Sequence, residues 1–305
     1  MSLLERLQCY GEVLVHEPMS RHTTYRIGGK VDYYIYPHTE IALVQILKML
    51  KAENVPYYVL GRGSNLLFHD DDFHGAIINL DKTLNNYYFE PDGTLVAQAG
   101  CSIINLAIEA LKRSFTGLEF ASGIPGSLGG GLFMNAGAYQ SDLAGIVESV
   151  CVIQDENLIW LPKSSLDYRY RHSLFQNHRD LTIVAARLKL EKADQEQIRQ
   201  LMRSRHERRV SSQPLDKPCA GSVFRNPDER PAWKIIDDLG LRGLQIGGAR
   251  ISEKHSNFIV NEGGAKAEDV HALISRIQKS AKEKYAIDLI TEVEYLNWDE
   301  KKKKV

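Results

Sequence analysis

The chain has 305 residues, 43% of them hydrophobic, and 38 Lys and Arg against 39 Asp and Glu give a formal net charge of −1. That length supports a sizeable core and two or three domains, and the balanced, interspersed charge argues against a general nucleic-acid or anionic-membrane surface. Glu5 and Arg6 fall where a signal peptide needs apolar residues, no stretch nears the ~18 apolar residues of a membrane span, and the scattered Cys9, Cys101, Cys151 and Cys219 fit neither a metal site nor a disulfide frame, so a reduced, cytoplasmic protein without structural metal is expected.

Residues 1–25 read as an N-terminal segment and 26–192 as a first, larger domain. Within it IALVQILKMLKAENV (41–55) has helical apolar spacing, and VPYYVLG (55–61), GAIINL (75–80) and TLVAQAG (94–100) read as strands ending in turn residues. SIINLAIEALKR (102–113) is a second helix with a Ser cap, and VESVCVI (147–153) and LTIVAARLKLE (181–191) resume the strands. The polar amphipathic pattern ADQEQIRQLMRSRHERR (193–209) predicts a connecting helix over 193–210. Beyond it, AWKIIDDLG, SNFIVNEGG, AEDVHALISRIQKSAKEKY and IDLITEVEYL form a smaller α/β unit over 211–298, followed by a basic tail over 299–305 that reads as a solvated end. The fold class is α+β.

Three glycine-bearing segments stand out. In GIPGSLGGGLFMNAGAY (123–139), Gly123, Gly126, Gly129, Gly130 and Gly131 are interleaved with Ile, Pro, Leu, Phe and Met, which sets the stretch apart from a flexible linker. A large, flat or heavily charged ligand lying directly on the backbone accounts for it, and Gly126 is expected to need freedom that a β-branched residue lacks. Gly61-Arg62-Gly63-Ser64-Asn65 follows a strand, so it is either an ordinary turn or a nest of N–H groups for phosphate oxygens. The G-x-G-x-x-G and G-x-x-x-x-G-K-[ST] signatures are missing, which leaves two glycine loops holding one diphosphate from two sides. SRHTTYRIGG (20–29) adds Arg26, a surface arginine or an anion contact.

TTYRIGG (23–29), GRGSNLL (61–67), GIPGSLGGGLFMNAGAY (123–139), YRHS (170–173), AGSVFRNP (220–227), GGARISEKHSNFIVN (247–261) and TEVE (291–294) occur in an order that resembles the MurB family of UDP-N-acetylenolpyruvoylglucosamine reductases, from about residue 20 to 296. The resemblance implies an FAD-binding domain of the vanillyl-alcohol-oxidase (PCMH) type and a smaller substrate-binding domain. It implies non-covalent FAD, with neither Cys101 nor His74 as a tether, held by Arg26, Gly61, Gly63, Ser64, Asn65, Gly123, Gly126, Ser127, Gly129, Gly130, Asn135 and Ala136. The implied activity is NADPH-dependent reduction of UDP-N-acetylglucosamine enolpyruvate.

In that chemistry a hydride reaches the terminal alkene carbon, enolate-like charge collects on the substrate carboxylate, and the neighbouring carbon takes a proton. The resemblance assigns the carboxylate to Arg171, whose planar guanidinium suits a bidentate contact. It assigns the proton to Ser222 and a second electrostatic role to Glu292. Lys217 and Asn226 are implied as contacts to the uridine diphosphate. Glu294 stands where many relatives carry Arg, and residues 175–200 leave no room for the tyrosine-bearing loop of longer relatives, so the chain is similar to the shorter type.

Overall fold

Apolar residues segregate into two separate cores in the computed structural model, which describes residues 1–299. The lysine run predicted as a basic tail lies outside the described residues. Unit 1 comprises Met1–Val15, Tyr33–Arg62 and His74–Arg208; unit 2 comprises His16–Asp32, Gly63–Phe73 and the chain from Arg209 onward.

Unit 1 is built on a five-stranded antiparallel sheet in the order Asn157–Pro162, Val147–Gln154, Thr182–Lys189, Thr94–Gln98, Tyr87–Phe89. Its central strands are the β-branched runs of the sequence, and their register sets Val150 opposite Ala186 and Val152 opposite Ile183, all four buried. A second sheet contains Tyr57–Leu60 parallel to Phe73–Asn79. Helix Glu40–Ala52 starts where the Thr39 hydroxyl accepts the Ala42 N–H at 3.1 Å, and it lays Leu43, Ile46, Leu47 and Leu50 into the core. Helix Ile103–Lys112, capped by Ser102, does the same with Ile103, Leu106, Ala107 and Ala110. Both follow the 3.6-residue period that their sequences carry.

Unit 2 centres on helix Ala267–Tyr285, whose stripe Val270, Leu273, Ile274, Ile277 and Ala281 is buried. It is joined by helix Ala232–Asp238 and the antiparallel strands Gln245–Ile246, Ala249–Ile251 and Ile259–Asn261. The expected contiguous first domain differs here, because residues 16–32 and 63–73 belong to unit 2. Backbone pairing is the reason. Leu66–Phe68 runs parallel to Glu294–Leu296, the Asn261 amide donates to Tyr25 O at 2.9 Å, and Tyr25, Ile27 and Leu67 are buried in the second core. IDLITEVEYL forms a strand only over Glu294–Leu296, with one bridge from Thr291 to Phe224.

The connecting helix, Gln195–Ser212, spans the change from unit 1 to unit 2 between Arg208 and Arg209. It buries only Ile198 and is polar nearly all round rather than amphipathic, with ion pairs Arg199–Glu196 and Arg203–Glu207 along its exposed face. Among the described residues, no helix is long and apolar enough to cross a membrane.

The segment around Ser222 is fixed by a side chain. Buried Asn257 accepts the Phe224 N–H at 3.0 Å and donates to Phe224 O at 2.8 Å. Asn257→Ala leaves both buried backbone groups unpaired and should cost about 2–4 kcal/mol. Urea titration followed by tryptophan fluorescence checks this, and a loss below about 0.5 kcal/mol would show that the clamp contributes nothing.

Candidate active site

The glycine-rich stretch of unit 1 is largely helical. After a 3-10 turn over Glu119–Gly123, residues Leu128–Met134 form a short helix capped by Ser127, whose hydroxyl accepts the Gly130 N–H at 3.3 Å. This corrects the open loop expected from the glycine content. Close approach to neighbouring backbone is the cause: Leu128 N–H donates to Cys101 O at 2.8 Å, Gly129 N–H to Ala99 O at 2.8 Å, and Gly126 O accepts the Ile103 N–H at 3.1 Å. A Cβ on Gly129 would lie 2.9 Å from Ala99 Cβ, and one on Gly131 would lie 2.6 Å from Ile103 Cδ1. The amides of Gly126, Leu128, Gly129 and Gly130 are therefore already bonded within the protein, so this stretch offers surface more than a nest of donors. Gly130 is the exposed-facing one, since a Cβ there would meet only Ser127 Oγ, at 3.4 Å. Gly61 rests against the same cap: its Cβ would collide with Ser127 Oγ and stand 3.8 Å from Gly130 Cα. The first residue of one glycine segment thus meets the centre of the other.

Positive φ is not the general reason for these glycines. Among those expected at the cofactor, only Gly63 has it, at +62°, where a Cβ would also strike His22 O. Gly63 O accepts the Thr24 N–H at 3.1 Å, so in unit 2 this glycine lets the 22–24 segment pass. Ser64 beside it is half-buried. Arg26 is exposed on a left-handed residue, φ +58°, in a turn held by the Thr23 hydroxyl, which donates to Ile27 O at 2.8 Å.

Asn135 caps the glycine helix in the left-handed region, φ +44°, and its side chain points inward. The amide donates to Asp142 Oδ2 at 3.0 Å and to Arg169 O at 2.9 Å, while Oδ1 accepts the Ala144 N–H at 2.9 Å. Asn135 is 1% exposed, and its side chain holds the backbone around Arg171. Ala136 continues the chain, its N–H donating to Gly131 O at 2.8 Å. Arg171 is half-buried at φ +53°, a conformation costing a non-glycine residue about 1–3 kcal/mol. Its guanidinium donates to Gly137 O at 2.6 Å and Asn135 O at 3.4 Å and lies 5.1 Å from the Tyr170 ring centroid.

In unit 2, Ser222 and Glu292 sit on adjacent segments. Glu292 N–H donates to Val223 O at 2.8 Å, Arg225 N–H donates to Ile290 O at 2.9 Å, and Phe224 bridges Thr291. Ser222 follows Gly221, whose φ is +77°, and both it and Glu292 are half-buried. Asn65 fastens the Glu292 segment. Its side-chain amide donates to Glu292 O at 2.9 Å, and its backbone carbonyl accepts the Glu294 N–H at 2.9 Å. The side-chain amide thus serves the Glu292 segment, a role that the sequence reading missed.

The two expected uridine-diphosphate contacts, Lys217 and Asn226, each have a protein partner. Lys217 Nζ is ion-paired with Glu262 at 2.5 Å, and Asn226 Oδ1 accepts the Ala232 N–H at 3.1 Å, capping helix Ala232–Asp238. Cys101 is buried, its thiol donating to Asn86 O at 3.4 Å, and burial pushes its pKa up to about 11. Such a thiol is a poor nucleophile.

Two family models match the chain: "UDP-N-acetylenolpyruvoylglucosamine reductase, C-terminal domain" over residues 213–296 and "FAD binding domain" over residues 31–154. The UDP-N-acetylenolpyruvoylglucosamine reductase of Bacillus subtilis (strain 168) is 44% identical over 287 residues, 94% of each chain. That of Caldanaerobacter subterraneus subsp. tengcongensis is 41% identical over 285 residues, 93% of each. The crystal structure of the Thermus caldophilus UDP-N-acetylenolpyruvylglucosamine reductase (MurB) superposes with a TM-score of 0.79 at 32% identity, covering 93% of this chain and 98% of that one. The chain belongs to the UDP-N-acetylenolpyruvoylglucosamine reductase family, with an α+β fold and an FAD-binding domain.

The residues present fit a flat cofactor at Gly130, where the backbone is bare on the side that a Cβ would occupy. Gly130→Leu separates the two uses of this helix. Leucine is the better helix former by roughly 0.5–1 kcal/mol, so the melting temperature should hold or rise while bound flavin falls at least about tenfold. The absorbance ratio at 450 and 280 nm of the purified protein reads this. Full flavin content would place the cofactor away from Gly130.

Proposed function

We propose that this chain reduces the enolpyruvyl ether of UDP-N-acetylglucosamine enolpyruvate to UDP-N-acetylmuramate with NADPH, through non-covalently bound FAD, in cytoplasmic peptidoglycan precursor synthesis. Membership of the reductase family supports the reaction. The observation that carries the roles is the pairing of the Ser222 and Glu292 segments through Glu292 N–H and Val223 O at 2.8 Å.

When bound, FAD supplies the two-electron relay between NADPH and the alkene; the rest falls to side chains. Arg171 binds the substrate carboxylate and offsets the charge that grows there as the double bond is reduced. Its guanidinium is already oriented by Gly137 O and Asn135 O, so little reorganisation is needed when that charge develops. Ser222 delivers its hydroxyl proton to the carbon bearing the ether oxygen. A serine is a weak acid, and the strongly basic carbanionic carbon it meets makes the transfer favourable. Glu292 acts beside it on the developing enolate as a hydrogen-bonding partner.

Removing the proton donor should uncouple the half-reactions. Ser222→Ala should let NADPH bleach the flavin at a near-normal rate, while reoxidation by the enolpyruvyl substrate slows by ~10²–10⁴ or more. Stopped-flow absorbance at 450 nm separates the two, and equal slowing of both would make Ser222 structural.

Charge on the carboxylate builds only as the alkene is reduced, so Arg171 and Glu292 should matter chiefly in the transition state. Arg171→Lys keeps charge and loses the planar fork. It should lower reoxidation at saturating substrate by about 10²-fold, with a smaller shift in substrate dissociation. Glu292→Gln, which keeps shape and hydrogen bonding, should be milder than Glu292→Ala. Should both Arg171→Lys and Glu292→Ala merely weaken binding and reoxidise normally at saturation, these roles are wrong.

A further inference from the structure

Arg171 stands at the tip of a two-residue hairpin turn. Arg169 N–H donates to His172 O at 3.1 Å and His172 N–H to Arg169 O at 3.0 Å, leaving Tyr170 and Arg171 as the loop, with Arg171 left-handed. An arginine keeps that conformation only where its surroundings over-determine it. Asn135 secures the near end of the turn through Arg169 O. The far end is secured by Gln176, half-buried on the short helix Leu174–Asn177. Gln176 Nε2 donates to Arg171 O at 3.0 Å and to Phe133 O at 3.1 Å. Phe133 lies in the glycine helix, whose continuation presents Asn135 O and Gly137 O to the guanidinium.

We propose that Gln176 is a positioning residue for Arg171: its carboxamide spends both hydrogens tying the arginine's own carbonyl to the glycine helix that orients its guanidinium. Backbone and head group of Arg171 are thereby referenced to one element, Leu128–Asn135 and the residues just after it. A carboxamide nitrogen has two hydrogens, enough for the two carbonyls it reaches; Met134 Sδ, at 3.7 Å, is a weaker third acceptor. Freed from Gln176, the Arg171 peptide loses a bond that resists its relaxation to negative φ, and such relaxation swings the guanidinium away from Gly137 O. Misplacement by about 1 Å is enough to cost up to ~10²-fold in rate. Ser173, whose hydroxyl donates to Phe133 O at 2.6 Å, braces the same carbonyl without touching Arg171.

The inference rests on the carboxylate-binding role of Arg171, so its test includes that residue. Gln176→Met keeps length and apolar bulk and removes both donors; Gln176→Glu, a second variant in case methionine compromises folding, removes both at neutral pH and stays polar. Each is measured as the full-length flavoprotein for flavin content, NADPH-driven bleaching, substrate dissociation constant and reoxidation at saturating substrate, alone and in an Arg171→Ala background. Expected are unchanged flavin content and bleaching, reoxidation slowed about 10- to 100-fold, a smaller change in dissociation constant, and no further slowing once Arg171 is alanine. Reoxidation at the wild-type rate in both Gln176 variants overturns the inference. So does slowing of the same size with and without Arg171, because Gln176 would then act by another route. An Arg171→Ala protein that reoxidises normally overturns the role given to Arg171, and the inference falls with it.

Discussion

A buried backbone N–H or C=O must find a partner, and the short segments carrying Arg171, Ser222 and Glu292 lie outside any extended sheet ladder or helix that would supply one. Side-chain amides do it for them. Asn135 serves Arg169 O and Ala144 N, Gln176 serves Arg171 O, Asn257 serves both polar groups of Phe224, and Asn65 serves Glu292 O. Hydroxyl side chains at most of these positions lack the reach to serve two backbone groups, and apolar ones leave each group unpaired at roughly 1–3 kcal/mol. The irregular backbone that carries Arg171, Ser222 and Glu292 is therefore specified in large part by a few Asn and Gln residues.

The glycines answer a second constraint, that of approach distance. Gly129 and Gly131 leave no room for Cβ atoms against Ala99, Ile103 and Leu143, and Gly61 leaves none against Ser127. These residues let a helix and two strand ends come together tightly enough for Gly130 to form bare surface above them. The cost is a helix weak in propensity, four residues of which are LGGG. Tertiary bonds compensate at its start, where Cys101 O, Ala99 O and the Ser127 hydroxyl take up the first free N–H groups.

Long periodic elements were legible from sequence because their apolar spacing encodes their environment directly. IALVQILKMLKAENV and SIINLAIEALKR predicted helices that the structure holds over Glu40–Ala52 and Ile103–Lys112, the second with its expected Ser102 cap. Periodicity gives no account of elements fixed by partners distant in the chain. Residues 63–73 belong with unit 2 because Leu66–Phe68 pairs with Glu294–Leu296, more than two hundred residues on, and nothing local in GRGSNLLF announces that partner. Glycine count predicted a loop at 128–131 where bonds to the strand end impose a helix. Motif order singled out Asn65 and Asn135 as cofactor contacts and gave no sign that their side-chain amides also serve backbone. An Asn beside glycines looks alike in both roles until its bonds are seen.

Much of the scaffold of each segment is local to its unit. Asn135, Gly137, Gln176 and, through it, Phe133, which hold Arg171, belong to unit 1, and Val223, Asn257 and Asn65, which hold the Ser222 and Glu292 segments, belong to unit 2. The Asn65 case explains why unit 2 takes in residues 63–73 at all: without that excursion the Glu292 carbonyl would lose its amide donor and the strand Glu294–Leu296 its parallel neighbour. Preorganisation of this kind is set by folding of each core, before any ligand arrives, so the orienting hydrogen bonds add nothing to the work of binding. A guanidinium already donating to two carbonyls and a serine on a clamped segment have little freedom left to lose.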